Sequence, residues 1–168
     1  STYAEFDALA NRVAHWGLKQ GLKPGDCVAL FMENRPEYVS IWVGLAKIGV
    51  VTALVNHHLE GEGLSHCINI VEAKHIITGA EQDTSIEAVH PNLEGAPEIW
   101  SLGGAYGENF ETVLADMPVT RPGREHRADL RGKDLCLYLY TSGTTGLPKA
   151  ARVTNSRLQT MLRTFIAP

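Results

Sequence analysis

Short, mostly apolar runs alternate with stretches of helical periodicity along this chain, and that alternation restricts its fold more than any other feature. The runs are Cys27–Met32 (CVALFM), Val50–Val55, His75–Thr78, Glu98–Leu102 and Leu135–Tyr140 (LCLYLY). A strand with one wet face alternates apolar and polar residues, whereas a strand covered on both faces does not. Helical patterns fill the gaps. Thr2 and Glu5 make a capping-box pair, and Phe6, Leu9, Ala10, Val13 and Trp16 follow at helical spacing until Gly21 and Pro24. Pro36 opens a second helix with Tyr38, Ile41, Trp42, Leu45 and Ile48 on its apolar side. Gly61–Glu72 reads as a third helix, with Leu64, Cys67, Ile68 and Val71 on one side. Gln82–Val89 reads as a fourth, Asn109–Leu114 as a short fifth, and a last helix starts near Asn155. The expectation is an α/β fold in which alternating strands and helices form a largely parallel sheet covered by helices on both faces, through right-handed crossovers. Ligands of such sheets bind beyond the carboxyl ends of the strands.

The segment after the last apolar run is chemically distinct. Thr141-Ser142-Gly143-Thr144-Thr145-Gly146-Leu147-Pro148-Lys149 packs four hydroxyls, two glycines and a lysine into nine residues. Glycines let the backbone turn and leave its N–H groups uncovered. Hydroxyls add donors, and lysine adds a point charge. That mixture suits a polyphosphate and not a packed core, where each buried hydroxyl needs its own partner. It is not a Walker A loop, because Leu147 and Pro148 separate Gly146 from Lys149 and Ala150 follows. The G-x-G-x-x-G dinucleotide fingerprint is absent too. A solvated Ser/Thr/Gly turn is the plain alternative, but such a turn gives no reason for Pro148-Lys149 behind an apolar strand. Small residues with free backbone donors also predict that Thr141–Gly146 is mobile without ligand.

This stretch, from Thr141 through Lys149 without a break, resembles the phosphate loop of the adenylate-forming superfamily: acyl-CoA synthetases, luciferases and the adenylation domains of peptide synthetases. The likeness continues elsewhere. Thr2-Tyr3-Ala4-Glu5-Phe6 through Gly21-Leu22-Lys23-Pro24-Gly25-Asp26 is similar to the start of these enzymes. Asn34-Arg35-Pro36-Glu37 resembles their N-x-P-E helix start, and Leu45-Ala46-Lys47-Ile48-Gly49 with Leu54-Val55-Asn56 resembles their L-x-K-x-G block. Lys149-Ala150-Ala151, Val153 and Ser156-Arg157 are similar to the fatty-acid transport protein and very-long-chain acyl-CoA synthetase branch, with Asn155 where that branch often has histidine.

The resemblance implies an ATP-dependent fatty acyl-CoA synthetase. A carboxylate attacks the α-phosphate of ATP, and coenzyme A then displaces AMP. Thr141, Ser142, Gly143, Thr144, Thr145, Gly146 and Lys149 would grip the phosphates, with Lys149 as the catalytic charge and Mg²⁺ sharing that work. The substrate carboxylate is itself the nucleophile, so no Ser-His-Asp arrangement is required. Adenine, ribose and hinge motifs of the family do not occur by Pro168. Residues 1–168 are therefore expected to be a fragment of the large N-terminal domain, ending just after the phosphate loop and lacking the C-terminal domain, and inactive alone. Two alternatives stay open: a ligase for another carboxylic acid, and a non-catalytic α/β module that retains the loop.

The rest of the composition bounds partners. A length of 168 residues fits about one domain, and 44% apolar with 20% charged residues is an ordinary globular balance. A net charge of −4 argues against a nucleic-acid surface. Cys27, Cys67 and Cys136 are far apart and lack metal-ligand spacing, which reads as reduced thiols in a cytoplasmic protein. Ser1–Glu5 is already a helix start rather than a signal peptide, and Ile41–Val55, broken by Lys47 and two glycines, is too short to span a bilayer. Met117–Lys133 is the loosest stretch. Its Arg121, Arg124, Arg127, Arg131 and Lys133 are diluted by Glu125 and Asp129, so a solvated connector is expected, with peripheral contact to anionic lipid or to coenzyme A phosphates as the alternative. His57, His58 and His66 are read as a loop pair and a surface-helix histidine, not as a metal site. Gly103-Gly104 with Gly107 is read as a turn.

Overall fold

The computed structural model describes residues 2–141 and 146–166, with side chains as far as 163. Helix α1 (Tyr3–Lys19) starts at the expected capping box: Glu5 N–H donates to the Thr2 hydroxyl, and the Glu5 carboxylate accepts from the Thr2 N–H. Strand β1 (Cys27–Phe31) is buried throughout. Helix α2 (Pro36–Ala46), strand β2 (Val51–Leu54), helix α3 (Gly61–Asn69) and strand β3 (His75–Gly79) follow. Next come helix α4 (Asp83–Val89), strand β4 (Glu98–Leu102), the two-residue strand β5 (Glu108–Asn109) and helix α5 (Phe110–Ala115). The chain continues through β6 (Leu135–Thr141) and β7 (Lys149–Thr154) into α6 (Asn155–Ile166).

The strands form one sheet in the order β5-β4-β3-β1-β2-β6-β7. Every neighbouring pair is parallel except β6 and β7, which are antiparallel. The five apolar runs supply the parallel body of that sheet. Two strands lie outside those runs. β7 reads KAARVT, in which polar residues interrupt the apolar ones, and its start is the lysine of the loop motif. β5 is exposed and only two residues long. Helix α3 also stops short of the expected Glu72, because Glu72 takes a left-handed φ of 50°.

Two large cores among the described residues, one on each side of the sheet, explain why the strands lack alternation, with a smaller cluster of Cys136, Leu137 and Val153 beside them. Trp16, Leu45, Ile48, Val28, Leu30 and Phe110 pack on the side of α1, α2 and α5. Phe31, Val51, Leu64, Ile68, Ile76 and Ile86 pack on the side of α3 and α4. Helix α1 meets α2 at Gly44, where a Cβ would lie 2.5 Å from the Ala10 carbonyl oxygen and 2.7 Å from Val13 Cβ. Only glycine permits that approach.

Several motif residues outside the loop hold this frame together. Lys47 Nζ donates to Asp7 at 2.5 Å and to the Asn11 side-chain oxygen at 2.6 Å, fastening α2 to α1. Gly49 has φ 77°, and a Cβ there would meet Leu130 at 2.8 Å. Asp26 accepts from the Lys23 N–H and pairs with Lys74 at 2.8 Å. The connector after α5 is less free than its composition suggests. Asn11 donates to the Val119 carbonyl, His15 Nε2 lies 2.9 Å from the Thr120 carbonyl oxygen, and Ser156 N–H donates to the Gly132 carbonyl.

An aromatic cluster fills the first core. Trp16 meets His75, Trp100 and Phe110 edge-on, with ring centroids 5.0 to 5.4 Å away. His75 Nδ1 accepts the Trp100 indole N–H at 3.1 Å, so the neutral ring carries its proton on Nε2. Burial lowers the His75 pKa below its ordinary 6.5, outweighing the Glu98 carboxylate 3.5 Å away. An unfolded chain takes up this proton near 6.5, and the folded chain only at lower pH. The histidine's contribution to stability is therefore complete above that value and is lost as pH falls through the window beneath it. Denaturant unfolding from pH 7.5 to 5.5 is expected to show a slope of up to about 1.4 kcal/mol per pH unit that His75→Gln removes. Identical slopes in the two proteins would count against this account.

Candidate active site at the carboxyl edge of the sheet

Strand β6 runs parallel to β2, with Leu54 opposite Leu139, and β2 runs parallel to β1, with Leu30 opposite Leu54. The loop segment after β6 therefore emerges at the same edge as the turns after β1, β2 and β3. This is where a doubly wound sheet opens its ligand crevice, because the turn after β1 leads to α2 on one face and its neighbours lead to α3 and α4 on the other. Thr141 and Asn56 each lie two residues past the Leu54–Leu139 pair, and so leave the sheet at one level.

The hairpin between β6 and β7 closes with Thr141 opposite Lys149. Both are exposed, which sets a hydroxyl and a cation side by side at the mouth of the loop. Gly146 has φ 116°, a backbone shape that residues with a Cβ rarely adopt. Ser142, Gly143, Thr144 and Thr145, and the mobility expected of this loop, lie outside the described residues. The structure thus brings together Thr141 and Lys149 of the expected phosphate-binding set, and places Gly146 in the same turn.

Helix α3 braces both ends of this hairpin. The Tyr140 hydroxyl donates to the Cys67 carbonyl at 2.5 Å. That carbonyl belongs to the last turn of α3 and would otherwise be an orphan acceptor. Burial pushes the Tyr140 phenol far above its usual value of 10, so it remains a donor. His66 Nε2 lies 3.1 Å from the Pro148 carbonyl oxygen, which can only accept. His66 is half-buried on α3, so the surface-helix reading holds, and this contact gives it a partner that the reading did not anticipate. Nothing local in sequence signals a partner 82 residues away.

A polar rim continues across the crevice. Arg35 pairs with Glu81 at 3.5 Å, and Glu81 also accepts from the Glu33 N–H at 2.8 Å. Gln82 donates to the His57 carbonyl, and the Asn56 side chain accepts from the His58 N–H. The His57 and His58 rings lie 4.0 Å apart. Among the described residues, no group of three or more His, Cys, Asp or Glu is placed to hold a metal. The thiols offer no nucleophile: all three are buried and unpaired, and burial pushes Cys27 up to about 12 and Cys67 up to about 11.

The fold and its loop define a doubly wound α/β domain that presents a hydroxyl- and lysine-bearing hairpin at its ligand edge. The chain belongs to the AMP-binding enzyme family, which matches residues 1–167. It is 39% identical over 167 residues to long-chain fatty acid transport protein 6 of Mus musculus, covering 95% of this chain and 26% of that protein. It is 30% identical over 165 residues to the medium/long-chain-fatty-acid–CoA ligase FadD6 of Mycobacterium tuberculosis, covering 98% of this chain and 26% of that one. The inhibitor-bound N-terminal domain of FACL13 from Mycobacterium tuberculosis superposes with a TM-score of 0.80 at 30% identity, over 92% of this chain and 37% of that one. The chain spans about a quarter of the length of these curated relatives.

Proposed function

We propose that the protein carrying this domain is a fatty acyl-CoA synthetase and that residues 1–168 supply its phosphate-gripping edge, as part of a larger N-terminal adenylation domain. The observation that supports this most is the pairing of Thr141 with Lys149 at the hairpin mouth, at the ligand edge of an AMP-binding fold. In the first step a carboxylate oxygen of the acid attacks the α-phosphorus of ATP. The bond from that phosphorus to the bridging oxygen breaks, leaving acyl-adenylate and pyrophosphate. In the second, the coenzyme A thiolate attacks the acyl carbonyl and AMP departs.

The part played by this chain is electrostatic. Negative charge builds on the departing pyrophosphate, and a donor already aimed at it costs nothing to reorganise. Lys149 supplies the cation, and the Thr141 hydroxyl with Ser142, Gly143, Thr144, Thr145 and Gly146 supplies the donors. Mg²⁺ arriving with ATP would share with Lys149 the neutralisation of the phosphate charge. The name of the transport-protein relative supports work on long-chain fatty acids. The described residues hold no helix long and apolar enough to cross one.

Pyrophosphate release by the longest natural chain containing these residues, given fatty, aryl, amino and short-chain acids in turn, tests the substrate class. Release dependent on long-chain acids is the expected result. Release only with aryl or amino acids would move the enzyme to another branch of the family.

A further inference from the structure

We propose that His66 and Tyr140 are positioning residues for adenylation: together they clamp the two feet of the phosphate hairpin to the last turn of α3. The proposal rests on the functional reading above and deepens it. Tyr140 lies next to Thr141, and Pro148 lies next to Lys149. Their partners on α3 are the consecutive residues Cys67 and His66, at 2.5 and 3.1 Å. One short stretch of helix therefore holds the residue before each phosphate-facing group.

Neither contact is needed to complete the sheet. The ladder between β6 and β7 ends at the Thr141–Lys149 pair, so the Pro148 carbonyl lies beyond it. Pro148 has no N–H and cannot continue the ladder. Without His66, the position of Lys149 would be set from one side only, by its pairing with Thr141. Helix α3 is itself well anchored, with Leu64, Cys67 and Ile68 buried in the second core. The clamp thus transfers the rigidity of the core to two exposed residues. Electrostatic stabilisation of a leaving group depends on such prior positioning, since a misplacement of about 1 Å costs on the order of a hundredfold in rate. Donation from Nε2 is available in the Nε2–H neutral ring and in the cation alike, so the clamp does not depend on the charge of His66.

The test uses the longest natural chain that carries these residues, as wild type, Tyr140→Phe, His66→Leu, His66→Gln and the double variant Tyr140→Phe/His66→Leu. Two quantities are measured: acid-dependent ATP–pyrophosphate exchange, and hydrogen exchange of the backbone amides of residues 146, 147 and 149 to 151. Each single loss of a donor is expected to lower kcat/KM for ATP by about fivefold to tenfold, leaving the KM for fatty acid unchanged. The double variant should lose less than the product of the single effects, because the two anchors serve one hairpin. His66→Gln keeps an N–H donor and should recover most of the loss. Those amides should exchange faster in Tyr140→Phe and in His66→Leu. Unaltered ATP parameters in those two variants would overturn the clamp, as would a loss shared equally by all substrates and not restored by glutamine. If the wild type shows no exchange reaction, the functional reading fails by itself. The amide rates then decide the clamp: faster exchange supports it, and unchanged rates overturn it.

Discussion

Trp16→Ala is expected to remove a large share of the stability of the fold. Trp16 is fully buried and is the hub of the cluster formed by His75, Trp100 and Phe110. Emptying a site of that size costs about 3–5 kcal/mol, against a total stability on the order of 5–15 kcal/mol for a domain. The cavity would open where α1 meets β3, β4 and α5, so neighbours on three elements would lose contact together. Its indole N–H has no hydrogen-bond partner among the described residues. Trp16→Phe should therefore be far milder, because it removes an unsatisfied donor while retaining a ring. Thermal unfolding followed by circular dichroism gives the comparison. A Trp16→Ala protein as stable as Trp16→Phe would show that this cluster does not hold the fold.

Lys149→Ala is expected to lower adenylation by on the order of tenfold or more while leaving the fold intact. Lys149 is exposed at the start of β7, so its removal should change stability by about 0.5 kcal/mol or less. An oriented contact from a charged donor is worth about 1.5–3 kcal/mol, which is one to two powers of ten in rate. The charge on pyrophosphate grows as the bond breaks. The loss should therefore fall more on kcat than on the KM for ATP. Lys149→Arg keeps the charge but changes its shape and reach, and should fall between wild type and alanine. Single-turnover formation of acyl-adenylate measures this step apart from product release. Equal rates in Lys149→Ala and wild type would favour the non-catalytic module that retains the loop as a relic.

Much of the fold is legible in the sequence because burial on both faces leaves a plain record. The runs at 27–32, 50–55, 75–78, 98–102 and 135–140 have no regular polar face, and the strands of the parallel body form there, at 27–31, 51–54, 75–79, 98–102 and 135–141. The capping box at Thr2 and Glu5 fixes the start of α1, and Pro36 that of α2. β7 leaves no such record because it is the outermost strand of the sheet, and Arg152 and Thr154 of its run remain partly or largely in solvent. β5 is too short and too exposed to leave a pattern.

The site divides in the same way. Its loop is a local motif, and a local reading finds it. Its support is not local. The Tyr140–Cys67 and His66–Pro148 contacts join residues 73 and 82 positions apart. In sequence His66 looks like any polar residue on an amphipathic helix, and Tyr140 like any aromatic in an apolar strand. The motif residues far from the loop have reasons that are mechanical rather than chemical. Lys47 ties two helices, and Gly49 makes room for Leu130.

The most direct measurement is ATP–pyrophosphate exchange by the longest natural chain containing these residues, with and without a long-chain fatty acid. Exchange that requires the fatty acid is the predicted result. An intact, folded protein that exchanges no pyrophosphate with any carboxylic acid would contradict the claim that this hairpin serves adenylation.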